Sequence, residues 1–365
     1  MRTRRSIGKR KIWWIVAIVF VIAIKLFSLN GDAVEKYYTY GIYPVFSIIS
    51  AFLFGWIPFS IGDIIYISAG IWLLYKIVKN IGLLCKRGFN KEMFLPKILD
   101  SILILVFAYI IFNIFWGLNY NRSGLVHQLA LADVAYDTSD LLAINTVLLD
   151  KVNSSKRALN AEGKPYPDTK TLFERSRITF EEAGKKYPFL NYNKRSESVK
   201  SSMYGWLGNY LGFTGYYNPF TGEAQVNTTV PQFLRPYIVN HEVAHQLGYA
   251  KEDAASFAGY LSILYSNDTL FKYSAYLDLF MYANREVYYI DSAKAKNAYA
   301  SLDPAVLKDL EEWRTFTRAH KSFLAPAITW LYGKFLKLNE QPQGMRSYNR
   351  VIVMLAAYYK KYGVI

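Results

Sequence analysis

Apolar residues crowd the first third of the chain and thin out after it. Ile12–Leu29 is an 18-residue stretch with a single charge, Lys25, long enough to cross a ~30 Å hydrocarbon layer as a helix. Further apolar stretches cover Ile42–Phe59, Ile64–Val78 and Ile102–Trp116. The pattern predicts transmembrane helices near 12–29, 64–78 and 100–118. The 42–59 stretch holds Pro44, Ser47, Ser50, Gly55 and Pro58, so it reads as re-entrant or interfacial, or as an additional span. Beyond residue 118 the pattern turns amphipathic. Leu141, Leu142, Ile144, Val147 and Leu148 follow Asp137-Thr-Ser-Asp140, a capped helix. Thr169–Lys186 is another, ending at Tyr187-Pro188. Tyr204–Gly222 is too rich in Gly, Tyr and Asn for a long helix, and Ala224–Val230 is a candidate strand. After Pro231 the reading is helical to the end, divided near Gly248, Asn267, Pro304, Pro326 and Pro342. The expected fold is mainly α. Transmembrane helices in 1–118 precede a mostly helical domain, 119–365, with a short strand or small sheet.

Composition removes several classes. The 365 residues are 52% apolar and 17% aromatic, which excludes disordered and collagenous chains. A single cysteine, Cys85, excludes a disulfide framework and any multi-cysteine metal site. The net charge is +15, split as 14 Lys/Arg against 5 Asp/Glu in 1–118 and 29 against 23 in 119–365. The second excess is dilute and forms no stripe, so no nucleic-acid partner is expected. The first sits in two places: Arg2, Arg4, Arg5, Lys9, Arg10 and Lys11, then Lys76, Lys79, Lys86, Arg87, Lys91 and Lys97. The positive-inside rule puts both in the cytoplasm and everything after Tyr120 outside it. Four spans would instead leave the second cluster translocated. The first apolar run is long for a signal peptide and no A-x-A-like site follows it, so it reads as an uncleaved anchor. The expected location is the cell (inner) membrane, multi-pass, with the large domain on the periplasmic side and the lipid bilayer as partner.

Residues 236–253 carry the chemistry. They contain His241-Glu242-x-x-His245, the zincin signature. At ~100° per residue, positions i and i+4 lie on one helix face, so both imidazoles converge on one ion. Glu242 stands beside that ion, placed to take a proton from bound water without being a ligand. Val239, Val243, Ala244 and Leu247 give the helix an apolar back. Pro236 suits the first helical turn and Gly248 the left-handed position that ends a helix. A catalytic zinc ion, Zn2+, needs a third protein ligand and an open position. Where a metzincin has its third histidine stands Lys251. Glu252 is the first carboxylate after the turn, and Asp253 and Glu223 are the alternatives. Glu252 and Asp253 also suit the start of the next helix, where acids favour the helix dipole. His127 and His320 are distant in sequence and read as structural.

Three further blocks stand out: Pro58-Phe-Ser-Ile-Gly-Asp63, Asn218-Pro-Phe-Thr-Gly-Glu-Ala-Gln-Val-Asn227, and Tyr332-Gly-Lys-Phe-Leu-Lys with Gln341 and Gly344-Met-Arg-Ser-Tyr348. With the His241–Asp253 stretch they resemble a bacterial membrane-protein family catalogued as a domain of unknown function (3810). The family pattern has an acidic residue where Ala254 stands. The resemblance implies a zincin-like membrane protein and supplies no substrate. By analogy with zincins at large, the passage before the motif helix, including 224–230, is where an edge strand pairs with an extended peptide; an ordinary loop and strand is the plainer reading. Tyr216 and Tyr217 are possible oxyanion donors that nothing in the sequence selects. The expectation is a membrane-anchored zinc metallopeptidase acting on an unidentified envelope or secreted polypeptide. His241, His245 and Glu252 hold the metal and Glu242 is the general base. Its rival is a non-catalytic binding or envelope-assembly module with a structural or degenerate metal site.

Overall fold

The computed structural model describes residues 2–87, 91–131 and 134–365, without the side chains of 2–9, 84–87, 91–93, 347 and 348. Arg2, Arg4, Arg5, Lys9, Cys85, Lys86, Arg87 and Lys91, which bear on the topology reading, therefore have side chains outside the described set.

Among the described residues, four helices are long and apolar enough to cross a membrane. Helix α1 is Arg2–Ser28. Helix α2 runs Gly31–Gly55, with π-helical turns over Val34–Ile42 and Ala51–Gly55. Helices α3 and α4 are Ile61–Arg87 and Lys91–Phe115. The 42–59 stretch is thus not a separate re-entrant element; most of it completes α2 and the remainder turns into α3. Pro44 lies inside α2, where the π-helical turns over Val34–Ile42 give way to the segment Tyr43–Ser50, so the missing amide falls at a change in the hydrogen-bond ladder. Helix α1 lies parallel to α4: Arg10 pairs with Asp100 at 2.8 Å, and Trp13 meets Phe107 edge-to-face.

One face of α2 is polar, with Glu35, Thr39, Ser47 and Ser50 buried. Such groups cannot face hydrocarbon unpaired, and here they face the 119–365 domain. Glu35 binds Arg122 at 2.7 Å, Thr39 donates to Asn119 Oδ1 at 2.9 Å, and the Tyr43 hydroxyl donates to the Gln246 carbonyl at 2.8 Å. The opposite face exposes Ile42, Val45, Ile49 and Phe52.

The large domain begins with helices α5, Thr138–Glu162, and α6, Thr169–Lys186. Asp137 caps α5 through the amides of Ser139 and Asp140 while the Asp140 side chain caps it in return. A three-stranded sheet follows in the order β1-β3-β2, with β1 Val199–Ser201, β2 Gly215–Asn218 and β3 Glu223–Val226. Strand β3 pairs parallel with β1 and antiparallel with β2. The expected 224–230 strand is therefore the central strand. The edge strand comes from the turn-rich passage, along with helix α7, Gly205–Leu211. Alternation along β3 sends Ala224 and Val226 one way and Glu223 and Gln225 the other. Glu223 closes the start of α3: it accepts from the Gly62 amide at 2.7 Å and pairs with Lys200, which also donates to the Phe54 and Phe59 carbonyls.

Seven helices complete the chain: α8 Arg235–Gln246, α9 Glu252–Leu264, α10 Thr269–Ile290, α11 Ser292–Ala300, α12 Pro304–Ala319, α13 Ala325–Leu338 and α14 Val351–Tyr362. The break at Asp291, absent from the sequence reading, forms because its side chain caps α11 through the amides of Ala293 and Lys294. Val239, Val243 and Ala244 bury the back of α8 in a core shared with Phe257, Leu261, Phe271 and Phe280.

Candidate metal centre

Helix α8 presents the motif. Pro236 lies in its first turn, and the chain leaves through Gly248 at φ +80°. A Cβ there would come within 3.0 Å of Asn119 Oδ1, so both the turn and the close approach require glycine. The His241 and His245 rings stand perpendicular, their centroids 4.8 Å apart.

Each ring is held through Nδ1. His245 Nδ1 lies 2.7 Å from the Tyr249 carbonyl and His241 Nδ1 lies 3.1 Å from Ser256 Oγ. A carbonyl only accepts, so His245 carries a proton on Nδ1 and turns its Nε2 toward Glu252. Glu252 comes from the first turn of α9. Its Oε2 lies 3.1 Å from His241 Nε2 and 3.6 Å from His245 Nε2. Its other oxygen accepts from the Tyr332 hydroxyl at 2.6 Å, and its backbone amide donates to Gln341 Oε1 at 3.0 Å. The three donor atoms lie within 4.8 Å of one another. Two imidazoles with engaged Nδ1 atoms and one oriented carboxylate form the donor set that suits zinc.

Asp253 and Glu223 are elsewhere. Asp253 accepts from the Ala254 amide and faces Arg350 at 3.6 Å, and Glu223 is buried against Lys200 and the start of α3. His320 closes the end of α12 through the Phe316 carbonyl at 2.8 Å, and His127 sits on a short helix, Gly124–Gln128. Tyr217 shares a hydrogen bond with Tyr43 at 3.0 Å, whereas Tyr216 donates to Asp63 and lines the cleft described below.

Electrostatics separate the two acids of the site. Burial pushes the Glu242 carboxyl up to about 8; His245 opposes the shift and Glu252 reinforces it. Burial also raises Glu252, but hydrogen bonds from His241 and His245 outweigh it and hold that carboxyl well below its usual range. Burial lowers His241, while Glu252 overcomes burial at His245 and raises it. Glu242 is 4% exposed, and its Oε2 has no hydrogen-bond partner among the described residues. A Cβ at Gly215, the first residue of edge strand β2, would overlap the Glu242 carboxylate.

A cleft of about 1090 Å³ lies over His241 and Glu242, with Gly215 and Tyr216 of β2 on one wall and Tyr332 and Tyr282 on others. Asp278 also lines it; burial pushes this carboxyl up to about 7 against the pull of Arg285. Ser256, Tyr332, Gln341 and Asp278 were not assigned roles by sequence reasoning. Tyr332 and Gln341 stand in one of the blocks that carry the family resemblance, so they carried a signal without a role, and nothing local marks Ser256 or Asp278.

A family model described as "Protein of unknown function (DUF3810)" matches residues 38–356. No curated protein and no solved structure matches the chain.

Proposed function

Since the chain belongs to this family, whose description assigns no activity, we propose from the site that it is a membrane-anchored zinc metallopeptidase. The observation that carries the reading is the convergence of His241, His245 and Glu252 donor atoms beside a second, separately buried carboxyl, Glu242. Zinc, when bound, polarises a peptide carbonyl and lowers the pKa of bound water. The chain's own residues do the rest. Glu242 takes the proton of the attacking water and passes it to the leaving amine. Strand β2 offers its free edge to an extended peptide, and Gly215 allows that backbone to approach Glu242. Tyr332 positions Glu252.

The same proposal places the large domain outside the cytoplasm of a multi-pass protein of the cell membrane. Three helix ends meet the domain. Asp32, just after α1, accepts from Ser123 at 2.5 Å; Trp116, just after α4, donates to the His245 carbonyl at 3.5 Å; and the first turn of α3 meets Glu223. The basic clusters belong to the opposite ends of these helices, which supports three crossings with α2 lying along the domain at the interface. The substrate is an unidentified envelope or secreted polypeptide.

The deciding experiment compares wild type with Glu242→Gln in full-length protein. Proteolysis of envelope extracts should fall by at least about 10³-fold, in keeping with loss of a general base and its electrostatics, while zinc stays near one per chain. If both proteins are equally inert, the site belongs to a binding module.

A further inference from the structure

The surface beside the cleft carries a second apolar feature. Helix α13 and the two residues before it turn Phe323, Trp330, Leu331 and Leu338 outward, at 90%, 62%, 55% and 82% exposure. Its inner side sends Ile328, Thr329 and Tyr332 into the cleft. Helix α7, which shares a second hollow with α13, exposes Trp206 and Tyr210. Residues 321–338 contain three lysines and no acid, and residues 203–213 contain no charge at all. Lys334 lies over the Trp330 ring, 5.4 Å from its centroid.

This surface is tied to a membrane helix. The Met203 amide donates to Asp63 Oδ2 at 3.0 Å, and the Tyr204 hydroxyl donates to the Asp63 carbonyl at 3.0 Å. Asp63 is in the first turn of α3, and Tyr66, one turn on, lines the same cleft as Ile328 and Tyr332. An apolar stripe bordered by tryptophan and lysine, held at the level where a membrane helix begins, has the chemistry of an in-plane interfacial helix.

We propose that α7 and α13 are seated in the lipid interface beside α3, with acyl chains and anionic headgroups as their partner, and that the cleft opens into this interface. On the metallopeptidase reading, the polypeptide cleaved is therefore one held on or in the bilayer. Lipid is favoured over a protein occupant because the surface is continuous with α3 and carries only positive charge, which suits anionic headgroups.

The test uses the full chain in nanodiscs of phosphatidylethanolamine and phosphatidylglycerol, with Cys85→Ser as background and a nitroxide on Leu331→Cys or Lys164→Cys. The label at 331 should collide more with oxygen than with a water-soluble nickel chelate, and the label at 164, exposed on the loop between α5 and α6, should do the reverse. A label at 331 as aqueous as that at 164 would overturn the lipid seat. So would one shielded from both agents, the mark of a second copy or another protein. The substrate half is read with β-casein, plain or palmitoylated, and proteoliposomes. The acylated form should be cleaved at least about tenfold faster, the smallest gain expected from sharing a surface. Equal rates overturn the membrane-held substrate. Cleavage of neither form defeats the metallopeptidase reading and this substrate class together, while the nitroxide result still decides the lipid seat.

Discussion

Glu252 and Asp253 are neighbours with opposite fates. The first turn of α9 sends Glu252 inward to both histidines and Asp253 outward toward Arg350. Glu252→Ala should therefore weaken zinc at least ~100-fold, Tyr332→Phe about tenfold as an outer hydrogen bond to a ligand is lost, and Asp253→Ala very little. Competition titration with a chromophoric chelator on the purified chain ranks the three; Asp253→Ala as the most damaging change would move the ligand by one residue. Asp278 offers a pH test. Its carboxyl, raised by burial to about 7, favours the native state only while protonated. The penalty for ionising it is absent below about pH 4, grows toward pH 7 and is constant above that. Asp278→Asn should stabilise the chain at pH 8 by on the order of 1–2 kcal/mol, a figure discounted because the side chain is only partly buried. The gain should shrink at pH 5. Thermal unfolding at the two pH values checks the sign, and equal gains at both would show that ionisation is not the cause.

At the scale of elements, the site is a meeting of α8, α9, α13 and the free edge of β2. The motif helix was legible because it needs only local rules: Pro236 to start, an apolar back to bury, Gly248 to stop. The edge strand was not. Gly215-Tyr-Tyr-Asn218 lacks β-branched residues and lies in a turn-rich passage, and it becomes a strand only because β3 offers a partner from Glu223 to Val226. That pairing brings Gly215 against Glu242. Gly215→Ala should push the flexible carboxylate aside, cutting peptidase turnover roughly 10²-fold, the loss that a displacement near 1 Å can bring. Zinc content and melting temperature should hardly change. Retention of full turnover would show that Glu242 has room the structure does not display.

The whole molecule joins membrane and site through polar locks: Arg122 with Glu35, Lys200 with the Phe54 and Phe59 carbonyls, Glu223 with the Gly62 amide, and Asp63 with Met203, Tyr204 and Tyr216. These contacts make α2 part of the domain's surface as much as of the membrane region. The expected topology follows from where the basic clusters lie. A membrane-impermeant maleimide should leave Cys85, the only thiol, unlabelled in intact spheroplasts and label it in lysed membranes, while external protease digests the 119–365 domain. Labelling from outside with the domain protected would reverse the orientation.

Three things were determined by sequence alone: apolar helices ahead of a mostly helical domain, the family, and a helix carrying two histidines and a glutamate on metal-site spacing. Each depends on composition or on residues a few positions apart, where helix periodicity acts directly. Tertiary structure decided the rest. Which carboxylate meets the histidines depended on the direction of one turn after Gly248. Tyr332 reaches Glu252 across 80 positions, and Glu223, an alternative ligand on paper, was claimed by Lys200 and the start of α3. The 42–59 stretch shows the limit most clearly. Its serines read as breaks in a span, and they are the polar face of α2, because a domain that begins some sixty residues later covers them.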